Sequence, residues 1–138
     1  MEWIYKGNTV TTLPENAVGF TYCITNKETQ RQYIGKKQLY SHTTKKVPGR
    51  KNRKHTIKES NWRNYYGSND NLLEEIATLG EENFTREILK FYNSKKDLTY
   101  AEVELQFKLD VLYAKFPDGT KKFYNSNILG KFFPEKEK

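Results

Sequence analysis

Three side chains could do chemistry together if the chain brings them close. Tyr22 and Tyr33 lie on two short stretches joined by a polar connection, so their phenols can face each other across a strand pair. Two phenols on one sheet face are also ordinary core packing, and only their company points further. Lys36 and Lys37 follow the second stretch at once. A phenol with a pKa near 10 is a poor base at neutral pH, and an adjacent ammonium is expected to lower it by favouring the phenolate. The third side chain is Glu102. It lies four residues after Leu98 and three before Leu105, inside an apolar helical stripe. A carboxylate there is costly unless it meets a metal ion or an arginine. Glu104 is the alternative, about 200° further round the helix, near a second apolar face formed by Tyr100, Val103, Phe107 and Val111. Geometry favours Glu102. Thr99-Tyr100-Ala101-Glu102 also fits a capping box, but Ser94 opens the helix sooner.

The charge distribution suggests what such a site would meet. The chain carries a formal net charge of +7, concentrated in one segment. Between Thr29 and Lys58 stand Arg31, Lys36, Lys37, Lys45, Lys46, Arg50, Lys51, Arg53, Lys54 and Lys58, with no Asp or Glu among them. The remainder holds 14 basic and 17 acidic residues, so the excess is one patch on a mildly acidic body. A focused basic patch suits a polyanion. Nucleic acid fits better than a membrane surface, because no amphipathic basic helix accompanies the run. There is no apolar run of 18 residues and no basic start followed by an apolar stretch, so neither a transmembrane helix nor a signal peptide is expected. The lone Cys23 cannot form an internal disulfide or a zinc site, and a reducing, cytoplasmic setting is expected.

The elements that must position these residues follow from pattern. Residues 3–10 read as a short strand and turn, and Leu13-Pro14-Glu15-Asn16 as a loop. Val18, Phe20, Tyr22 and Ile24 alternate with small or polar neighbours, the strand period. Gln32 to Gly35 is the returning strand of a hairpin. Residues 36–58, broken by Pro48-Gly49, are expected to form a long basic loop. Ser60 to Tyr66 fits a short helix, and Ser68-Asn69-Asp70 caps another that carries Leu72, Leu73, Ile76 and Leu79 and stops at Gly80. Phe84 to Tyr92 reads as a third strand. Ser94 opens a last helix with Leu98, Ala101, Leu105, Leu109 and Leu112 along one stripe, running to about Tyr113. Phe116-Pro117-Asp118-Gly119 is a turn, and residues 134–138 are a polar tail.

Gly19-Phe20-Thr21-Tyr22-Cys23-Ile24, followed by Tyr33-Ile34-Gly35 eleven residues after Tyr22, resembles the two-part signature of the GIY-YIG nucleases. Phe20-Thr21 depart from the single small apolar residue usual in the first half, while the second half is intact. The resemblance extends over roughly residues 18–130. Gly80-Glu81-Glu82-Asn83-Phe84 leads into Ile88-Leu89 as in the family, an acidic residue follows on the next helix, and Tyr124-Asn125 supplies an Asn after a Tyr. The fold implied is a small α+β domain with a central, mainly antiparallel three-stranded sheet flanked by helices. Residues 1–138 would form a single domain, with 1–17 as an N-terminal extension and 36–58 as a basic loop insertion.

The resemblance implies a metal-dependent endonuclease that hydrolyses phosphodiester bonds of double-stranded DNA, leaving 5′-phosphate and 3′-hydroxyl ends. Its biological setting would be homing-like in a phage or mobile element, or restriction- or repair-like. Glu102 would hold Mg²⁺ or Mn²⁺, since one carboxylate plus waters and phosphate suits an octahedral ion. Tyr22 would be the general base, Tyr33 would orient water or phosphate, and Lys36 and Asn125 would complete the site. The family also uses an arginine, often with a histidine, after the hairpin. Arg53 ranks ahead of Arg63 here, with His55 third, and each is equally well read as a phosphate-positioning charge. His42 reads as a surface residue. Lys36, Lys37, Lys45, Lys46, Arg50, Lys51, Arg53, Lys54 and Lys58 would contact DNA. No small-molecule cofactor is expected, and the oligomeric state is not set by the sequence. The competing readings are a non-catalytic nucleic-acid-binding module using the basic segment with its interleaved tyrosines, and a protein-interaction domain gripping an acidic partner.

Overall fold

A computed structural model describes residues 1–49, 51–52 and 54–135, with residues 43, 45 and 54–56 described by backbone alone. The chain forms β1 (Trp3–Tyr5), β2 (Asn8–Thr9), β3 (Gly19–Asn26), β4 (Gln32–Gln38), β5 (Tyr40–Lys45), β6 (Lys54–Glu59), α1 (Asp70–Leu79), β7 (Phe84–Tyr92) and α2 (Lys95–Lys108). Short 3₁₀ turns occupy Trp62–Asn64 and Glu81–Asn83. Five strands make one sheet in the order β2-β1-β7-β3-β4, and β5 and β6 make a separate two-stranded ribbon.

The mixed α+β architecture agrees with expectation, but the sheet arrangement corrects the three-stranded reading. The hairpin and the third strand are there: β3 pairs antiparallel with β4 and with β7. Two further strands come from the N-terminal segment, where β1 lies parallel to β7 and antiparallel to β2. Residues 1–17, expected as an extension, therefore help build the sheet, and Trp3 is buried in the core. A parallel pairing across some 80 residues leaves no local trace in the sequence.

The segment 36–58, expected as a loop, is largely strand. β5 and β6 pair in register from Tyr40↔Glu59 to Lys45↔Lys54. Its β-branched residues favour extended backbone, but the ribbon joins no other strand and its described side chains are all exposed, so there is no apolar alternation to reveal it. Ile57 is 72% exposed.

β3 lies inside the sheet between β7 and β4, is buried on both faces, and its alternation divides two cores. Phe20, Tyr22 and Ile24 join Trp3, Trp62, Leu72, Ile76, Phe84 and Ile88 on the α1 side. Cys23 joins Ile34, Val111, Leu112, Phe123 and Ile128 on the α2 side. The helix caps fall as expected. Asn69 accepts from Leu72 N–H at 3.0 Å and Ser94 from Asp97 N–H at 3.1 Å. α2 stops at Lys108, short of Tyr113, because Asp110 adopts a positive φ of 55°. The segment expected as a helix from Ser60 is a single 3₁₀ turn, held by Trp62, whose ring is buried and whose Nε1–H donates to Glu59 at 2.7 Å.

Candidate active site

The hairpin register sets the site. Tyr22 pairs with Gly35 and Ile24 with Tyr33, so both phenols share the α1 face, on diagonal positions with ring centroids 6.1 Å apart. A β-carbon on Gly35 would lie 2.5 Å from Tyr22 Oη and 2.7 Å from Cζ. The glycine is thus the space in which the Tyr22 phenol lies. Tyr22 is 1% exposed, with the ring of Tyr65 edge-on at 6.0 Å. Tyr33 is less buried; its hydroxyl lies 3.3 Å from Ser68 Oγ, and Gly67, at φ 89°, lets the backbone pass close to its ring.

β4 is an edge strand, and its outward-facing backbone groups are taken up one after another. Gln32 N–H donates to Lys122 C=O at 2.9 Å, and Gln32 C=O accepts from Tyr124 N–H at 2.8 Å. Two residues on, Ile34 N–H donates to Asn125 Oδ1 at 3.1 Å. Ile34 C=O accepts from Asn125 Nδ2 at 2.8 Å and from Gln106 Nε2 at 3.0 Å. Two further on, the backbone N–H of Lys36 faces the Glu102 carboxylate. A short backbone bridge from the C-terminal segment, and then side chains from that segment and α2, stand in for a missing neighbour strand.

A cleft of about 200 Å³ opens over this edge. Tyr33 reaches it from one face of the sheet and Glu102 and Gln106 from α2, with Ser68, Asn69, Asn125 and Leu129 around them. Asn69 donates to Tyr124 C=O at 2.8 Å, tying the start of α1 to the segment that carries Asn125. Glu102 is half-buried, and burial pushes its carboxyl up, opposed by the Lys36 ammonium and backbone N–H. Glu104 is exposed and lines no part of the cleft. Gln106 is 5% exposed, and its Oε1 is buried without a hydrogen-bond partner. Among the described residues no group of three or more His, Cys, Asp or Glu could hold a metal ion. The cleft offers one carboxylate with an amide oxygen one helical turn away.

The structure thus brings Tyr33, Glu102 and Asn125 to one cleft, with Tyr22 packed behind Tyr33 and Lys36 beside Glu102. Lys36 Nζ donates to Thr99 Oγ1 at 2.7 Å. The expectation that Lys36 or Lys37 lowers the Tyr22 pKa is not met. Burial pushes Tyr22 well up, and neighbouring Tyr33, Tyr65 and Glu102 add to it. Tyr33 is also raised, mainly by burial. Lys37 Nζ sits 4.2 Å over the Tyr65 ring instead, and burial lowers its pKa.

Arg63 is not in this cleft. It stacks at 4.4 Å on Trp62, pairs with Glu59 at 3.4 Å, and lines a different cavity with Met1, Trp3 and Arg86. Its position two residues before Tyr65 gave no hint of this, because Trp62 faces the core and turns Arg63 away. Arg53 and Arg50 lie outside the described residues. His55 is placed by backbone alone, paired with Thr44. His42 is exposed on β5. Of the expected DNA-contacting lysines, Lys46, Lys51 and Lys58 are exposed on or beside the ribbon, whereas Lys45 and Lys54 are placed by backbone alone. Among the described residues no arginine lines the cleft.

Two positioning residues escaped sequence reasoning. Gln106 looked like an ordinary polar helix position. Arg86 is 2% exposed in β7, sandwiched between Trp3 and Tyr66 at 4.5 and 4.3 Å. It donates to the carbonyls of Arg63, Tyr65 and Met1, and so fixes the turn that delivers Tyr65 and Ser68.

The family model described as "Putative endonuclease segE, GIY-YIG domain" matches residues 3–128. The chain belongs to the GIY-YIG nuclease family. No curated protein and no solved structure matched it. The match begins at Trp3, so β1 lies within the GIY-YIG unit as well as within its sheet. In this GIY-YIG domain the two halves of the signature meet physically at Tyr22 and Gly35.

Proposed function

We propose that this GIY-YIG domain is a divalent-metal-dependent endonuclease that hydrolyses phosphodiester bonds of double-stranded DNA. The observation that carries this reading is the convergence of Tyr33 and Glu102, from opposite faces of the sheet, on one polar cleft at the β4 edge. Hydrolysis needs a proton taken from water, stabilisation of charge on the phosphoryl oxygens, and help for the leaving 3′ oxygen.

The cleft fits a hydrated Mg²⁺ or Mn²⁺. Glu102 would hold the ion, and the unpartnered Gln106 Oε1 would accept a hydrogen bond from one of its waters. Such an ion supplies charge stabilisation at the phosphoryl and leaving oxygens. The chain's own groups do the rest. The Lys36 ammonium and backbone N–H oppose the upward push of burial on the Glu102 carboxyl. Tyr33, the phenol that reaches the cleft, takes the proton of the attacking water. Tyr22, packed behind it, holds the Tyr33 ring in place, so the base moves from the first tyrosine of the signature to the second. Proton transfer of this kind contributes roughly 10²- to 10⁴-fold. The basic ribbon β5–β6 grips the duplex: a two-stranded ribbon fits the major groove, and its exposed lysines meet phosphates.

The test is nicking of supercoiled plasmid in Mg²⁺. Glu102→Ala is expected to abolish nicking while DNA binding persists, and Glu104→Ala to cut like the wild type. Normal cutting by Glu102→Ala with loss in Glu104→Ala would overturn the ligand assignment. Salt-sensitive binding with no cutting by the wild type would favour a binding module.

A further inference from the structure

The cleft has one aliphatic side chain on its wall, Leu129, that the hydrolysis scheme does not use. After Asn125 the chain makes a tight turn from Ile128 to Phe132, closed by Lys131 N–H to Ile128 C=O at 3.1 Å and Ile128 N–H to Phe132 C=O at 2.9 Å. Its two tip residues, Leu129 and Gly130, have φ of 59° and 65°. Positive φ at both central positions is the pattern of a type I′ turn, where Asn-Gly is the favoured pair. A leucine there is an outlier, because its side chain crowds the left-handed backbone. The turn nevertheless holds an apolar residue at its tip, 50% exposed, on the wall of the cleft that contains Glu102. Phe132 and Phe133 are also exposed beside it. Phe132 packs edge-on against Phe107 of α2 at 5.5 Å, which braces the turn against the helix that carries Glu102. Lys131 is exposed in the same turn.

An unfavourable backbone, an exposed apolar tip, a ring contact to α2 and direct continuity with the cleft go together in a wedge. We infer that Leu129 inserts between stacked bases of the duplex next to the scissile phosphate, with Phe132 and Phe133 covering the exposed base face. Apolar side chains entering a base step unstack it and bend the duplex, and aromatic rings replace lost stacking without sequence preference. Opening the step would turn the phosphate at its edge into the cleft between Tyr33 and Glu102. This inference rests on the nuclease reading.

The decisive variant is Leu129→Asn. Asparagine accepts positive φ readily, so the turn and fold are kept while the wedge is lost. Leu129→Met, which keeps apolar reach, is the conservative partner. A short duplex with 2-aminopurine scanned across the cleavage region is bound without divalent ion, and single-turnover cleavage in Mg²⁺ is measured in parallel. We expect wild type and Leu129→Met to raise 2-aminopurine fluorescence at one step beside the cut, and Leu129→Asn not to. Cleavage of matched duplex by Leu129→Asn should fall about tenfold or more, and a mismatch placed at that step should restore it, since an unpaired base needs less unstacking. Equal fluorescence and equal cutting by Leu129→Asn, or no fluorescent step in the wild type, would overturn the wedge while leaving the nuclease intact. A wild type that cuts nothing would overturn the nuclease reading instead. The wedge would then be judged on fluorescence alone, upheld by a rise that Leu129→Asn abolishes and overturned by its absence.

Discussion

Replacing Asn125 by alanine removes two hydrogen bonds from the same backbone residue. The first leaves Ile34 N–H buried with no acceptor; the second takes one of two donors from Ile34 C=O, which keeps Gln106. An orphaned buried donor costs about 1–3 kcal/mol, and the loss of a partner from a carbonyl that keeps another costs about 1 kcal/mol. The sum, roughly 2–4 kcal/mol, is a large share of the roughly 5–15 kcal/mol typical of a domain. With a urea slope near 2 kcal/mol per M, the unfolding midpoint should fall by about 1–2 M. Urea titration followed by tryptophan fluorescence reads this directly, because Trp3 and Trp62 are both in the core. Asn125→Asp sharpens the test. It keeps an acceptor for the N–H but sets a carboxylate oxygen against Ile34 C=O where an amide donor had been. Its folded-state pKa would therefore be raised, and its stability should recover as pH falls and the carboxyl protonates. A side chain serving only to contact substrate would leave the stability within about 0.5 kcal/mol of wild type, and that outcome in Asn125→Ala would refute the clamp.

Two further predictions follow from the phenols. Burial raises both Tyr22 and Tyr33, which moves the basic form upward in pH. A rate limited by phenolate should climb about tenfold per pH unit, roughly a hundredfold from pH 7 to 9, with no plateau below the ordinary tyrosine value near 10; a single-turnover profile that is flat above pH 8 would exclude a tyrosine base. Gly35→Ala would drive a methyl group into the buried Tyr22 phenol, 2.5 Å from its hydroxyl oxygen. Overpacking of this kind costs about 1–3 kcal/mol, so thermal unfolding should show a clear loss, and an unchanged melting temperature would mean that the phenol moves aside freely.

What was legible in the sequence was local. The β3–β4 hairpin, the Asn69 and Ser94 caps and the first part of the α2 stripe, Leu98 to Leu105, each follow from neighbours within a few residues, whereas Leu109 is exposed and Leu112 lies beyond the helix. Burial separates Glu102 from Glu104 because a carboxylate three and four residues from leucines must face inward. What was not legible depends on partners far along the chain. Asn125 reaches back to Ile34 across 91 residues and Gln106 across 72. β1 finds β7, and Arg86 finds carbonyls in two separate segments. The basic ribbon is hidden for another reason: its described side chains are all exposed, and such strands carry no alternation to read. The Tyr22 environment was misjudged because adjacency in sequence put Lys36 and Lys37 near it, whereas strand alternation sends Lys36 to the opposite face.

The capped edge of β4 has a consequence beyond chemistry. An uncovered edge strand is a template for pairing with another chain, and proteins suppress that by blocking the row of free amides and carbonyls. Here the backbone of Lys122 and Tyr124 blocks Gln32, and Asn125, Gln106 and Glu102, which line the cleft, block Ile34 and Lys36. On the proposed reading, substitutions at Glu102, Gln106 or Asn125 chosen to abolish cleavage would also unmask a self-pairing surface. Solubility and the proposed activity then draw on the same side chains.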